Sequence, residues 1–169
     1  DGKRTLVVLV KERPEQHYVR FGLELEAALS RQSAFNFLAS HRMKWLNSFG
    51  AEWRNDAVLG RDVLLQTELY QPLSASQYLF VAPQLRYSVT PFDLYADDLQ
   101  IAEYREQAFE AQLDLGANFL QYGEARLGAT VGRRLFDIQS GGFALPSAGS
   151  TQVGEASLVA KLDQFDGIN

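Results

Sequence analysis

The chain has two histidines. With Ser33, Ser40 and Asp56 close to them in sequence, His17 and His41 supply the side-chain types of a Ser/His/Asp hydrolytic site. Such a site needs its base within about 3 Å of the nucleophile. No G-x-S-x-G nucleophile turn occurs, and no spacing among these residues sets that geometry, so His41 reads as a surface or interfacial residue at a strand end. Glu24 and Glu26 lie two apart, on one face of a strand, where two carboxylates can shift each other's protonation. A wetted wall accounts for them better. DLYADD, Asp93 to Asp98, resembles a cation loop only loosely and reads as the tip of a hairpin. There is no cysteine, which removes disulfides and thiolate metal sites, and two histidines are too few for a histidine cluster. No catalytic residue, metal or cofactor is expected in this chain.

Charge recurs in another pattern. Glu52, Arg54, Glu68, Arg86, Glu110, Asp114, Arg126 and Lys161 each lie between apolar neighbours, and the clearest instance is FEAQLDLGANF, Phe109 to Phe119. Its odd positions are all apolar and its even positions all polar or glycine. In a chain that is 46% apolar, such an eleven-residue alternation arises by chance roughly once in two thousand starting positions, and period two means a strand with unlike faces. Soluble strands average about five or six residues, whereas a tilted strand crossing a bilayer needs about nine to eleven.

The same alternation divides the rest of the chain. Val19 to Ala27 form a first strand, Phe35 to Ala39 a second with Leu38 out of pattern, and Trp45 to Arg54 a third with Asn47 out of pattern. Val63 to Leu69 form the fourth. Leu79 to Val89 begin a fifth, running on through Phe92 and Tyr95. Ile101 to Asn118 make the sixth, Ala125 to Gly132 the seventh and Val153 to Asp163 the eighth. Turns fall at Ser30–Ser33, Arg42–Lys44, Leu59–Asp62, Gln71–Gln77, Ala96–Leu99 and Gln121–Gly123, and Gln139–Ser150 is the longest loop. The reading is all-β: eight antiparallel up-and-down strands without propeller or solenoid repeats. Leu6 to Val10 is apolar on both faces, which suits a strand of a small packed domain ending at Pro14.

A net charge of −5 argues against a nucleic-acid partner, which needs a basic face to neutralise phosphates. No apolar run reaches the roughly 18 residues of a transmembrane helix, so neither such a helix nor a signal peptide is expected. Alternation alone leaves the direction of the faces open. In a soluble barrel or sandwich binding an apolar ligand the apolar face is the core; in an outer-membrane barrel it meets lipid. An outer-membrane hydrolase is a third possibility. Mixed charges interleaved with glycine suit a hydrated lumen, and Tyr18, Trp45, Trp53, Tyr78, Tyr87, Phe109 and Phe119 gather towards strand ends, as in an interfacial girdle.

FGLELE after KERP, FGAEWRNDAVLG, LYQPL, FVAPQL and LDLGANFLQYGEARLG resemble the barrel of patatin-like phospholipase autotransporters. These belong to the bacterial surface antigen family, within the superfamily of outer-membrane assembly and translocation barrels. The resemblance covers nearly the whole chain. It implies an outer-membrane location in a bacterium and a parent protein with an N-terminal lipase, a POTRA-like periplasmic domain and a sixteen-stranded barrel. Residues 1–13 would then carry the last POTRA strand and residues 14–169 the first half of the barrel. The sequence ends at KLDQFDGIN and lacks the later RGF-type loop motif and the terminal aromatic strand, as a fragment would. By the same resemblance, the seam strand would hold Tyr18, Val19, Arg20, Phe21, Gly22, Leu23 and Glu24. Phe109, Leu113, Leu115, Leu127, Val131 and Leu158 would face lipid, and Glu52, Arg54, Glu68, Arg86, Glu110, Asp114, Arg126 and Lys161 the lumen. The implied partners are lipid bilayer or detergent and the parent's POTRA and lipase domains. A half-barrel would have two free edges, so two copies could pair into one barrel as a homodimer, or the eight strands could close alone.

Overall fold

The computed structural model describes residues 16–26, 34–96, 99–119, 122–141 and 148–162. The candidate POTRA strand in residues 1–13, Ser33 and the tip of the DLYADD hairpin lie outside them. Eight strands follow one another: β1 (His17–Glu26), β2 (Ala34–Met43), β3 (Glu52–Gly60), β4 (Val63–Pro72), β5 (Leu79–Ala96), β6 (Leu99–Asn118), β7 (Gly123–Gly141) and β8 (Ala148–Leu162). Each pairs antiparallel with its neighbours in chain order, in one sheet. The sheet is not closed. Among the described residues β8 does not pair with β1, so the alternative in which eight strands close alone is not the arrangement found.

The third strand begins later than its sequence suggests. Trp45, Ser48, Phe49 and Gly50 belong to a turn, and β3 begins at Glu52. Asn47, the residue out of pattern, builds that turn: its Oδ1 accepts from the backbone N–H of Phe49 at 3.0 Å and of Ala51 at 3.3 Å. Gly50 takes φ 81°, and Trp45 takes φ 59°. An asparagine amide offering the backbone a local partner outcompetes continuation of a ladder. The next turn at this end locks onto it, because Asn47 Nδ2 donates to Gln71 at 2.8 Å and Gln77 Nε2 to the Phe49 carbonyl at 3.0 Å. β7 also extends to Gly141, well past Gly132, and β8 starts at Ala148.

A cavity of about 340 Å³ shows how the sheet is shaped. Its lining draws on β2 (Arg42), β3 (Arg54), β4 (Glu68), β5 (Gln84), β6 (Asp114), β7 (Arg126) and β8 (Lys161). Seven flat strands would span about 29 Å at 4.8 Å spacing, so one small cavity touches all of them only because the sheet curls around it. Among the described residues no second layer packs on the sheet. The fully buried Phe80 is instead roofed on the concave face by Tyr70, 4.6 Å away between ring centroids, and by the Arg126 guanidinium at 5.1 Å. Gly116, directly opposite Phe80, leaves room for the ring.

The strands run obliquely to the apolar band on the other face. From Gly22 the register passes through Leu38, Val58, Leu64, Ser88, Ala108, Arg134 and Thr151. The centres of the outward apolar rows drift in one direction from that line, from Gly22 on β1 to Gln66 on β4, Gln84 on β5, Asp114 on β6 and Val159 on β8. The drift is about one residue per strand, and at about 3.4 Å per residue against 4.8 Å per strand it corresponds to a tilt of roughly 35–40°.

A Cβ on Gly116 would land on the Phe80 ring. Gly116→Leu is therefore expected to destabilise the fold by about 1–3 kcal/mol, as overpacking does. Gly154→Ala, with nothing within 4 Å, should stay within about 0.5 kcal/mol. Urea midpoints followed by far-UV circular dichroism test both; equal midpoints would contradict the packing of Phe80 against Gly116.

Candidate functional site: two faces of one sheet

The concave face carries a continuous run of ion pairs. Lys44 approaches Glu52 at 3.8 Å, Glu52 meets Arg54 at 2.9 Å, and Arg54 meets Glu68 at 2.8 Å. Glu68 then reaches Arg126 at 3.2 Å, over β5 and β6. Arg126 also contacts Asp114 at 3.5 Å and Glu124 at 3.1 Å, and Glu124 continues to Lys161 at 3.4 Å. Four cations alternate with four anions, so the run is neutral. Neutrality matters because Glu68 and Asp114 are only 8% and 4% exposed, and an unpaired carboxylate buried to that degree would be strongly disfavoured. The Arg54 guanidinium also lies over Tyr70 at 4.8 Å, adding a cation–π contact.

Higher on the same face Arg134 holds Glu110 at 2.9 Å and Glu106 at 3.6 Å. The structure thus brings Glu52, Arg54, Glu68, Asp114, Arg126 and Lys161 into one network and puts Glu110 in a second. Arg86 shares their face, but it is exposed and makes no ion pair among the described residues. Glu124 and Lys44 were not singled out by alternation alone. Glu124 could have been found, because Glu124 and Arg126 repeat the two-residue spacing of Glu52 and Arg54.

The opposite, convex face is apolar and open. Phe109, Leu113, Leu115, Leu127, Val131 and Leu158 all lie on it and are all exposed, from 49% at Leu113 to 78% at Leu158. The outward row on β6 runs over ten residue steps from Phe109 to Phe119. At about 3.4 Å each, foreshortened by a 35–40° tilt, these give a band roughly 27 Å tall. Exposed aromatics border it at the lower turns: Trp45, Phe49, Trp53, Tyr78, Phe119 and Tyr122. Tyr78 and Phe119 pack edge to face at 6.3 Å. The residues of the seam strand, Tyr18, Val19, Arg20, Phe21, Gly22, Leu23 and Glu24, lie on β1, an edge of the sheet whose outward side chains are among the most exposed.

Among the described residues, those that could have formed a hydrolytic site are not brought together. Ser40 and Asp56 face each other on the concave side, whereas His41 is on the convex side and contacts His17 and Asn55 there. Glu24 is held by Asn36 Nδ2 at 3.2 Å, and Asp93 accepts from Gln100 at 2.9 Å across the hairpin. Compared with protein-family models, curated proteins and solved structures, the chain matches none.

Arg126 has three acidic partners, so removing it strands Glu68, Asp114 and Glu124 together. Arg126→Met should destabilise the fold by an amount approaching the roughly 3–5 kcal/mol of a broken buried pair, reduced by water in the cavity. Arg126→Lys should recover only part of this, because an ammonium lacks the planar fork. Denaturant midpoints decide it: a methionine variant as stable as the parent would remove the network from the account.

Proposed function

We propose that this chain is the N-terminal half of an outer-membrane translocator barrel, which anchors and secretes a patatin-like lipase carried N-terminal to it in the bacterial parent protein. The observation that carries the reading is the direction of the two faces. A soluble barrel or sandwich that stores an apolar ligand buries its apolar row, whereas here that row is on the exposed face and the buried carboxylates Glu68 and Asp114 are on the other. Exposed apolar surface on this scale needs a cover. Hydrocarbon is the cover that suits a band roughly 27 Å tall, since barrels of the outer membrane present an apolar band of about 25 Å between aromatic girdles, on strands tilted by about 35–45°.

Two further features support secretion rather than anchoring alone. Among the described residues β1 and β8 are open edges, and an unpaired edge is a template that can take up another extended chain through its backbone N–H and C=O groups. The cavity on the concave face is lined by charges of both signs, a surface that an unfolded polar segment can pass without sticking to oily walls. In this reading the POTRA-like domain lies in the periplasm before β1. The edges are satisfied either by the remaining strands of a sixteen-stranded barrel or by a second copy of the half-barrel.

Depth along β6 provides the test. Leu113→Arg, at mid-band, should disfavour folding into lipid vesicles by about 2–4 kcal/mol, and Phe119→Arg, at the border, by about 0–1. A chain that is folded and monodisperse in plain buffer, and that tolerates Leu113→Arg, would contradict the membrane reading. Crosslinking in detergent separates the two ways of satisfying the edges. A trapped dimer supports paired half-barrels, and a clean monomer mass excludes them for the chain by itself.

A further inference from the structure

The apolar face contains one polar track. Trp53 Nε1–H donates to Thr67 Oγ1 at 2.7 Å, and the Thr67 hydroxyl donates to Asn55 Oδ1 at 2.8 Å. Asn55 Nδ2 lies 3.3 Å from His41 Nδ1, and His41 Nε2 lies 3.2 Å from His17 Nδ1. All five residues are on the convex side, in register across β1 to β4. The direction follows from the placement of the Asn55 amide, whose Oδ1 accepts from Thr67 while its N faces His41. The Asn55 amide N can only donate, so His41 Nδ1 accepts and its proton is on Nε2; His17 Nδ1 then accepts, which puts the His17 proton on Nε2. Every donor therefore points the same way, from Trp53 towards His17. Aligned hydrogen bonds polarise one another, and the last one ends in an exposed N–H at the first residue of β1, below the apolar row that starts at Val19.

Beside this track is a groove of about 390 Å³. Its lining holds the small Ala39 and Ala57 in one register row with Leu65, Tyr87 and Phe109, and His41 beside Ala39 on β2. It is almost wholly apolar and opens on the same face. An oily slot that shares a wall with a row of aligned donors has the form of a site for a molecule with an apolar tail and an anionic, hydrogen-bond-accepting head.

We propose that this face holds one phospholipid, with an acyl chain in the Ala39/Ala57 groove and a phosphate oxygen accepting from His17 Nε2–H. The proposal rests on the membrane reading. It explains why asparagine, threonine and histidine interrupt an otherwise apolar face: they extend a donor outward to the depth where headgroups lie. The lipid also covers the part of the sheet next to the open edge of β1.

Because the chain has two histidines and both are in the track, selective ¹⁵N-histidine labelling reports on the site alone. The chain is folded in detergent and titrated with phosphatidylglycerol, with diacylglycerol of the same chain length, and with inorganic phosphate. The expected result is a saturable shift of one imidazole with phosphatidylglycerol and none with diacylglycerol, together with a pattern in which both rings carry their proton on Nε2. His17→Ala should weaken binding about tenfold, the usual loss for one hydrogen bond to a charged group. Ala57→Phe, which fills the groove, should do likewise. Dihexanoyl phosphatidylglycerol, too short to fill the groove, makes the same comparison on the unaltered chain and should bind more weakly. Equal responses to phosphatidylglycerol and diacylglycerol would overturn the proposal, as would a response to inorganic phosphate alone that matches that to the lipid. A chain folded without detergent defeats the membrane reading itself, whereas a detergent-folded chain whose imidazoles ignore phosphatidylglycerol defeats only this site.

Discussion

A single β-sheet cannot hide both of its faces, and every other feature of this molecule follows from how the two are treated. The pleat sends successive side chains to opposite sides, so Leu113 and Asp114 are separated by the sheet although they are neighbours in the chain. With no second layer among the described residues, burial on the concave side comes from curl and from long side chains reaching over their neighbours. Arg126 does most of this. It stacks on Phe80, reaches Glu68 on β4 and holds Asp114 and Glu124, and so ties four strands into one curved wall. The convex side is left with its leucines, valines and phenylalanines uncovered.

Curl, tilt and the apolar band are mutually consistent. Strands that cross a band obliquely have to be longer than the band is tall, and β5, β6 and β7 at 18, 20 and 19 residues run well past it, with polar outward residues such as Arg105 and Asp137 beyond Phe109 and Val131. At the other end the chain turns tightly. Asn47, Gln71, Gln77 and Asn118 tie the turns to one another and to Tyr70, where exposed aromatics border the band. One end is thus short and braced, and the other is built of long hairpins.

Much of this was legible in the sequence, because a period of two survives in any register. The strand count, the class and the identity of the two faces could be read from FEAQLDLGANF and its counterparts. Three things could not. Alternation says nothing of which face is buried; that depends on the sense in which the sheet curls. The turn at Trp45 to Ala51 mimics a strand, since Trp45, Phe49 and Ala51 fall on alternating positions, and Asn47 was the sign that the backbone had other partners. The polar track was hidden because Thr67 passes for an apolar-row residue and His17, His41, the Trp53/Asn55 pair and Thr67 lie on four different strands. Only the register brings them into one line.

The central claim is that the convex face meets hydrocarbon while the concave face meets water. A nitroxide scan of single-cysteine variants through residues 109–119, reconstituted in lipid vesicles, addresses it most directly, with oxygen and a water-soluble nickel chelate as the two relaxation agents. The account predicts a period of two in both signals with opposite phase: odd positions relaxed by oxygen, even positions by the chelate. Odd positions shielded from both agents, with even positions open to the chelate as in bulk solvent, would mean that the leucines form a dry core, and would contradict it.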